Sequence, residues 1–239
     1  MLLQPLRIEA QLFSPISVLD DWAPSLEAVL EYVWIDDRGL LMANPDPNNL
    51  IYPELPLKAG EINGTKYWCC SSPHYRYRIG HSDRKRKRWG GDAEGYPVNW
   101  GKGSAKIQTD AGRFKSADLP VFFRSVDTIY WWAVGDLDAV QQMLNTVPSI
   151  GKNRGTGYGQ VLRWTVLPAE HDYHLWGKSG QLMRPVPANS LPGLERYPVQ
   201  RWAWTTPFNL PQNKVLCAMP TNNAQQITTD WFTAQFMGE

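Results

Sequence analysis

Leu6, Ile8, Ala10 and Leu12 alternate with Arg7, Glu9 and Gln11, the period-two pattern of a strand with one buried face. Ser14 and Pro15 end it. From Ser25 the period changes. Leu26, Val29, Leu30, Val33 and Trp34 recur at helical spacing behind Ser25, a favourable N-cap, and the run DDRG stops that helix. The stretch LIYPELPL is extended but carries prolines, which confines it to an edge strand or an irregular arm. TKYWCCSS reads as a strand. VFFRSVDTIYWWAV, residues 121–134, is a long β-rich run and reads as a central strand. Leu137, Val140 and Leu144 predict a helix over 136–145, with Asp136 and Asp138 suited to its start. QVLRWTVL, from Gln160, reads as a strand again.

Strand, helix, strand, then strand, helix, strand is the order of an α+β, ferredoxin-like βαββαβ core. One domain over 1–239 accommodates it, with two additions. Residues 71–117 form a polar, basic, glycine-rich and aromatic insert. Residues 168–239 hold Pro185, Pro187, Pro192 and Pro198 and predict an irregular C-terminal extension. Short strands are expected near 201–205 and 214–218, and a short helix over about 225–236.

With 239 residues, 43% hydrophobic and 20% charged, the chain is globular rather than disordered. A net charge of +1 does not announce a polyanion binder, so that argument rests on local clusters. Twelve tryptophans and ten tyrosines can fill a core or stack on unpaired bases. Cys69, Cys70 and Cys217 make no metal-ligand spacing and read as free thiols of a reducing cytosol. Arg7 and Glu9 break the early apolar run, and no segment approaches the roughly 20 apolar residues of a membrane span. A cytoplasmic protein with no membrane contact is expected.

The candidate chemistry lies in two places. VPSIGKNRGTGYGQVLRWTV holds Gly151, Gly155, Gly157 and Gly159, with Lys152, Arg154 and Tyr158 among them. A nucleotide phosphate loop runs strand, glycines, helix. Here the order is helix, glycines, strand, and GxxxxGK[ST] is absent, so no nucleotide cofactor is expected. Glycines still let backbone approach an anion, and the two cations favour a long polyanion. A helix cap alone needs one glycine. In the insert, Tyr75, Arg76, Tyr77 and Arg78 precede Arg84, Lys85, Arg86, Lys87, Arg88 and Trp89. Rings and cations interleave, as single-stranded RNA recognition requires, whereas the plain alternative is a solvated charged face. An alternating Tyr/Arg strand places rings and guanidinium groups on opposite faces. His171 and His174, with Asp172, are one pair without further ligands at a familiar spacing, so no metal is expected.

GKNRGTGYGQV resembles the G-loop of the RAMP superfamily of CRISPR systems. LRIEAQLFSPISV, SLEAVLEYVW and DLPVFFR resemble, more narrowly, the small Cas5-type RAMP subunit of type IV CRISPR effector complexes. The resemblance covers about 5–35 and 117–167. It implies a non-catalytic subunit that caps a filament of backbone subunits and holds the 5′ handle of the guide RNA in a hooked path. It also implies a hairpin thumb, here residues 75–100, and as partners the guide RNA, the backbone and large subunits, and target DNA near the handle end. On that carry-over the loop residues and the basic insert are RNA-binding and none is catalytic. Two alternatives stand beside it. One is a metal-independent repeat-RNA endonuclease of the same superfamily, with His74 or His81 as its base. The other is a standalone single-stranded RNA-binding module, which lacks the RGFGFVxF-type signature.

Overall fold

The computed structural model describes residues 2–18, 20–39, 53–87, 117–208, 213–221 and 223–226. The chain opens with strand β1 (Leu3–Leu12), followed by the short β2 (Ile16–Ser17) and helix α1 (Leu26–Asp37). The hairpin β3 (Ala59–Ile62) and β4 (Thr65–Trp68) comes next, then β5 (His74–Lys87), β6 (Ala117–Asp136), helix α2 (Leu137–Asn145) and β7 (Val161–Pro168). The extension adds β8 (Val186–Pro187), β9 (Val199–Ala203), β10 (Lys214–Ala218) and β11 (Ala224–Gln226).

The protein is α+β. The main sheet runs β11-β5-β6-β1-β7, with β2 also paired to β6. Its pairs are antiparallel except β11, which lies parallel to β5 and makes the sheet mixed. Two α-helices are present among the described residues. The period-two pattern of β1 is realised in full: Leu6, Ile8 and Ala10 are completely buried. They share one core with Ile129 and Trp131 of β6, Trp164 and Val166 of β7, Leu26 and Leu30 of α1, and Val140 and Leu144 of α2. Both helices therefore cover the same sheet face. Both start as expected, with the Ser25 hydroxyl accepting from Ala28 N at 3.4 Å and the Asp136 carboxylate from Ala139 N at 3.1 Å.

Three expectations need correction. TKYWCCSS is not a strand of the main sheet. Its regular strand stops at Trp68 and pairs with β3, across a turn at Asn63 and Gly64 whose φ values are 51° and 75°, and beyond it Cys70 meets Ala133 of β6 in a single isolated bridge. Two successive left-handed residues, Asn then Gly, are the chemistry of a type I′ hairpin. The partner of β6 is instead β5, which starts inside the supposed insert, so the sheet itself uses the first part of residues 71–117. Near residue 225 the chain forms β11 on the edge of β5, not the start of a helix. The strands expected near 201–205 and 214–218 are present as β9 and β10. Residues 88–116, with Arg88, Trp89 and the rest of the expected thumb, and residues 227–236 of the expected helix lie outside the described residues.

The extension has its own core. Leu182, Val186, Leu194, Trp204, Cys217 and Met219 pack with Ile62 and Tyr67 of the hairpin. One charged residue joins this core to the first. Arg184 is buried and lies 3.3 Å from the Glu27 carboxylate on α1. It donates to the carbonyls of Trp68, Cys70 (3.0 Å) and Trp204 (2.6 Å) and lies over the Tyr67 ring at 4.8 Å. No helix among the described residues is long and apolar enough to cross a membrane.

Candidate nucleic-acid interface

The glycine loop leaves α2 at Thr146 and closes on itself before β7. Ile150 N donates to Gly159 O at 2.8 Å and Val161 N to Pro148 O at 2.9 Å. It is then pinned to the segment after β1. Lys152 N donates to Ser17 O, Gly159 N to Pro15 O, and Phe13 N to Gln160 O, all at 2.8 Å, while Asn153 Nδ2 donates to Ser17 Oγ at 3.0 Å. The amides of Lys152 and Gly159 thus hold the loop to its scaffold.

The four glycines divide accordingly. Gly151 (φ +82°) and Gly159 (φ +66°) sit where a side chain has no room. A Cβ on Gly151 meets Ser17 O at 2.8 Å, and one on Gly159 overlaps the Ile150 carbonyl. Gly155 and Gly157 face open space, and of the two only Gly157 is left-handed, at φ +91°. The tip, a 3-10 turn over Arg154–Thr156 followed by Gly157 and Tyr158, is the part of the loop open to a ligand. The expectation that all four glycines serve backbone approach to an anion narrows to this tip.

On one side of the tip, the Arg154 guanidinium lies 4.8 Å over the Tyr32 ring of α1. Arg154 and Lys152 line a cleft of about 320 Å³ floored by Val29, Val147 and Ile150. Asp20 is at its edge, with a carboxyl that burial pushes up, against the opposing pull of the Trp22 and Ala23 amides and Lys152.

On the other side, Tyr158 packs against Phe123 of β6 at 5.7 Å, and Phe123 meets the His81 ring of β5 at 5.9 Å. Arg124 lies 4.7 Å over the Tyr77 ring and is paired with Asp21 at 2.5 Å. Tyr77, His81, Phe122, Phe123 and Arg124 border a groove of about 590 Å³. A strip of rings and guanidinium groups therefore runs from the loop tip onto β5 and β6. Sequence reasoning did not single out Phe122, Phe123, Arg124 or Tyr32. The first three lie in the β-rich run 121–134 and the phrase DLPVFFR, and Tyr32 lies in SLEAVLEYVW, but no pattern marks any of them as a ligand contact.

Tyr75 is 4% exposed, and its hydroxyl accepts from Arg124 at 2.6 Å. Burial pushes its hydroxyl up to about 12, and its ring is core rather than stacking surface. Tyr77 shares that face, partly buried, so the alternation of Tyr75 and Tyr77 against Arg76 and Arg78 is real. Arg76 and Arg78 are exposed on the face opposite the two described helices, Arg78 paired to Asp127 at 2.6 Å. Along the basic run, Arg84, Lys85, Arg86 and Lys87 pair through their backbones with Pro120, Leu119, Asp118 and Ala117. His74 is separated from the loop. Its ring packs edge-on to Trp132 at 5.2 Å, and burial pulls its proton affinity down to about 4. His174 has both ring nitrogens engaged, Nδ1 with Asp172 at 2.6 Å and Nε2 with the Tyr67 hydroxyl at 3.2 Å.

The model of the family described as CRISPR type IV associated protein Csf3 matches residues 4–203. The match runs from β1 through β9 and includes the loop, the aromatic strip and the buried Arg184. No curated protein matches the chain.

Proposed function

The chain belongs to the Csf3 family, the Cas5-like subunits of type IV CRISPR systems, and we propose that it holds the guide RNA of its effector complex by the 5′ handle. Membership makes it a subunit of a type IV CRISPR complex. The finer reading rests on one observation: the exposed loop tip, with Arg154 and Tyr158, adjoins Phe123, His81, Tyr77 and Arg124. Cations beside rings in an open strip suit a single strand, whose phosphates need charge and whose unpaired bases need faces to stack on. The strand order β5-β6-β1-β7, with a helix after β1 and another between β6 and β7, supports reading the core as the ferredoxin-like plan. In that reading the backbone of the handle crosses the tip, its bases lie over the strip, and β5 carries the path on toward Arg84. The neighbours would be the backbone and large subunits, with target DNA close to the handle end.

Binding of repeat-derived RNA at several salt concentrations tests it. Replacing Lys152 and Arg154 by alanine should leave the melting temperature unchanged and weaken binding. Every phosphate deprived of its cation flattens the log–log salt slope by about 0.7, so the pair should remove up to about 1.4. Unchanged affinity and slope would reduce the loop to a chain turn.

The same reading is non-catalytic. Near the strip, Asp21 is taken up by Arg124, and His74 lies on the other sheet face. His81 packs on Phe123. Repeat RNA incubated with the protein in EDTA or magnesium should stay intact while remaining bound. Cleavage that disappears in His81→Ala would transfer the function to a metal-independent endonuclease.

A further inference from the structure

The sheet face opposite the two described helices carries a larger cleft, of about 780 Å³, lined by no residue of the glycine loop. It lies where β11 closes on β5. β5 contributes His74, Arg76 and Arg78, β6 contributes Thr128 and Tyr130, and the extension contributes Ser179, Gln181 and Asn223. A volume of this size falls within the range of roughly 300–1,000 Å³ found for ligand sites, and its polar groups converge from three separate segments.

Two of those groups are in an unusual state. His74 Nε2 and Asn223 Oδ1 are buried with no hydrogen-bond partner. The Asn223 amide nitrogen is already used, donating to Pro73 O at 3.3 Å. The imidazole is neutral, and its backbone partner, Met183, accounts for the other ring nitrogen. Both orphaned atoms are therefore acceptors. Buried acceptors without partners are rare and costly, and both belong to residues that line the cleft, so a donor entering it would satisfy them once the lining side chains shift to admit it. The rim supplies the opposite chemistry. Arg76 and Arg78 are exposed cations, with Asp127 steadying Arg78. A ligand that fits presents N–H donors at one end and negative charge at the other, with a flat body to lie against Tyr130.

We propose that this cleft is a second site for single-stranded nucleic acid, taking a nucleotide whose base bears an exocyclic amino group while Arg76 and Arg78 hold its phosphates. The site is independent of the loop and lies on the opposite face of the sheet. Adenine, cytosine and guanine offer the amino donor; uracil and thymine do not. A guide-RNA segment and a displaced DNA strand share this chemistry, and ribose and deoxyribose probes separate them.

The test uses the full chain with labelled oligoadenylate, oligodeoxyadenylate and oligouridylate. Three variants are compared: Arg76→Ala with Arg78→Ala, Ser179→Trp, and Lys152→Ala with Arg154→Ala. Ser179 is exposed, so tryptophan there fills the cleft without removing a charge or a core residue. Both cleft variants should weaken oligoadenylate about tenfold, the equivalent of roughly one stacked base, and change oligouridylate far less. The arginine variant alone should also flatten the salt slope, by up to about 1.4. The loop variant should keep the component that Ser179→Trp removes. Loss confined to the ribose probe assigns the site to guide RNA, and loss of the deoxyribose probe assigns it to DNA. If neither cleft variant changes the binding of any probe, or if the wild-type chain binds neither adenine probe, the proposal is overturned. If the cleft variants lose binding and the loop variant loses none, the cleft stands and the loop reading falls.

Discussion

Arg184→Met is expected to lower stability by about 3–5 kcal/mol, seen as a fall of roughly 6–20 °C in melting temperature for a chain of this size. The guanidinium is fully enclosed, and removing it leaves the Glu27 carboxylate as a buried charge without its partner. It also strips a donor from the carbonyls of Trp68, Cys70 and Trp204. A second substitution separates the two losses. Glu27→Leu added to Arg184→Met should recover the charge part but not the carbonyl part, so the double variant should melt between the single variant and the wild type. The single variant should also acquire a pH dependence. Burial already raises the Glu27 carboxyl against the pull of Arg184, and without that pull it rises further. An acid whose folded-state value lies above its unfolded one stabilises fully below the unfolded value and progressively less as pH climbs to the folded one. Arg184→Met should therefore be least deficient in mild acid and most deficient at neutral pH. A variant melting within about 2 °C of wild type at neutral pH would show that the joint between the two cores does not depend on this ion pair.

Nothing in the sequence advertised that joint. Arg184 stands in LMRPVP, between an apolar pair and a proline, where an arginine reads as surface. Its meaning comes from Glu27, on a helix more than a hundred residues away, in a first turn where any acidic residue suits the helix N-terminus. What was legible was local. β1 follows from strict alternation, α1 and α2 from a cap plus an apolar repeat, and β7 from its branched and aromatic run, because each buries one continuous face. β5 failed that test. Its Tyr-Arg-Tyr-Arg start and the basic run after Gly80 look polar, and only its long pairing with β6 makes it a sheet strand. TKYWCCSS erred in the opposite sense. Its apolar residues suit a central strand, but the Asn63-Gly64 turn folds it back as a hairpin and sends Tyr67 and Cys69 into the second core.

The glycine loop mixes both cases. Its position between helix and strand was readable, while the division of labour among its glycines depends on bonds to residues 13–17 that no local pattern encodes. That division predicts an order. Gly155→Ala should change stability by no more than about 0.5 kcal/mol, because its φ is ordinary and its surroundings are empty. Gly157→Ala should cost about 1–2 kcal/mol for the left-handed backbone alone. Gly159→Ala should cost the most. It meets the same backbone penalty, and its methyl group also overlaps the Ile150 carbonyl, so the loop must open. Opening breaks the bonds from Ile150 N to Gly159 O and from Gly159 N to Pro15 O, each contributing a net 0.5–1.5 kcal/mol or so. A total of about 2–5 kcal/mol overlaps the range for the loss of Arg184. Urea midpoints of the three variants measure the order directly. RNA binding then separates scaffold from binding surface. At a temperature where all three remain folded, Gly155→Val should bind repeat RNA less well than wild type despite a near-native midpoint, because its side chain stands between the exposed turn and the strand it is proposed to hold. Gly159→Ala should lose binding only in proportion to the loosening of the loop. Equal midpoints for Gly155→Ala and Gly159→Ala would mean that the anchoring to residues 13–17 contributes nothing, and the tip would then have no fixed position from which to grip RNA.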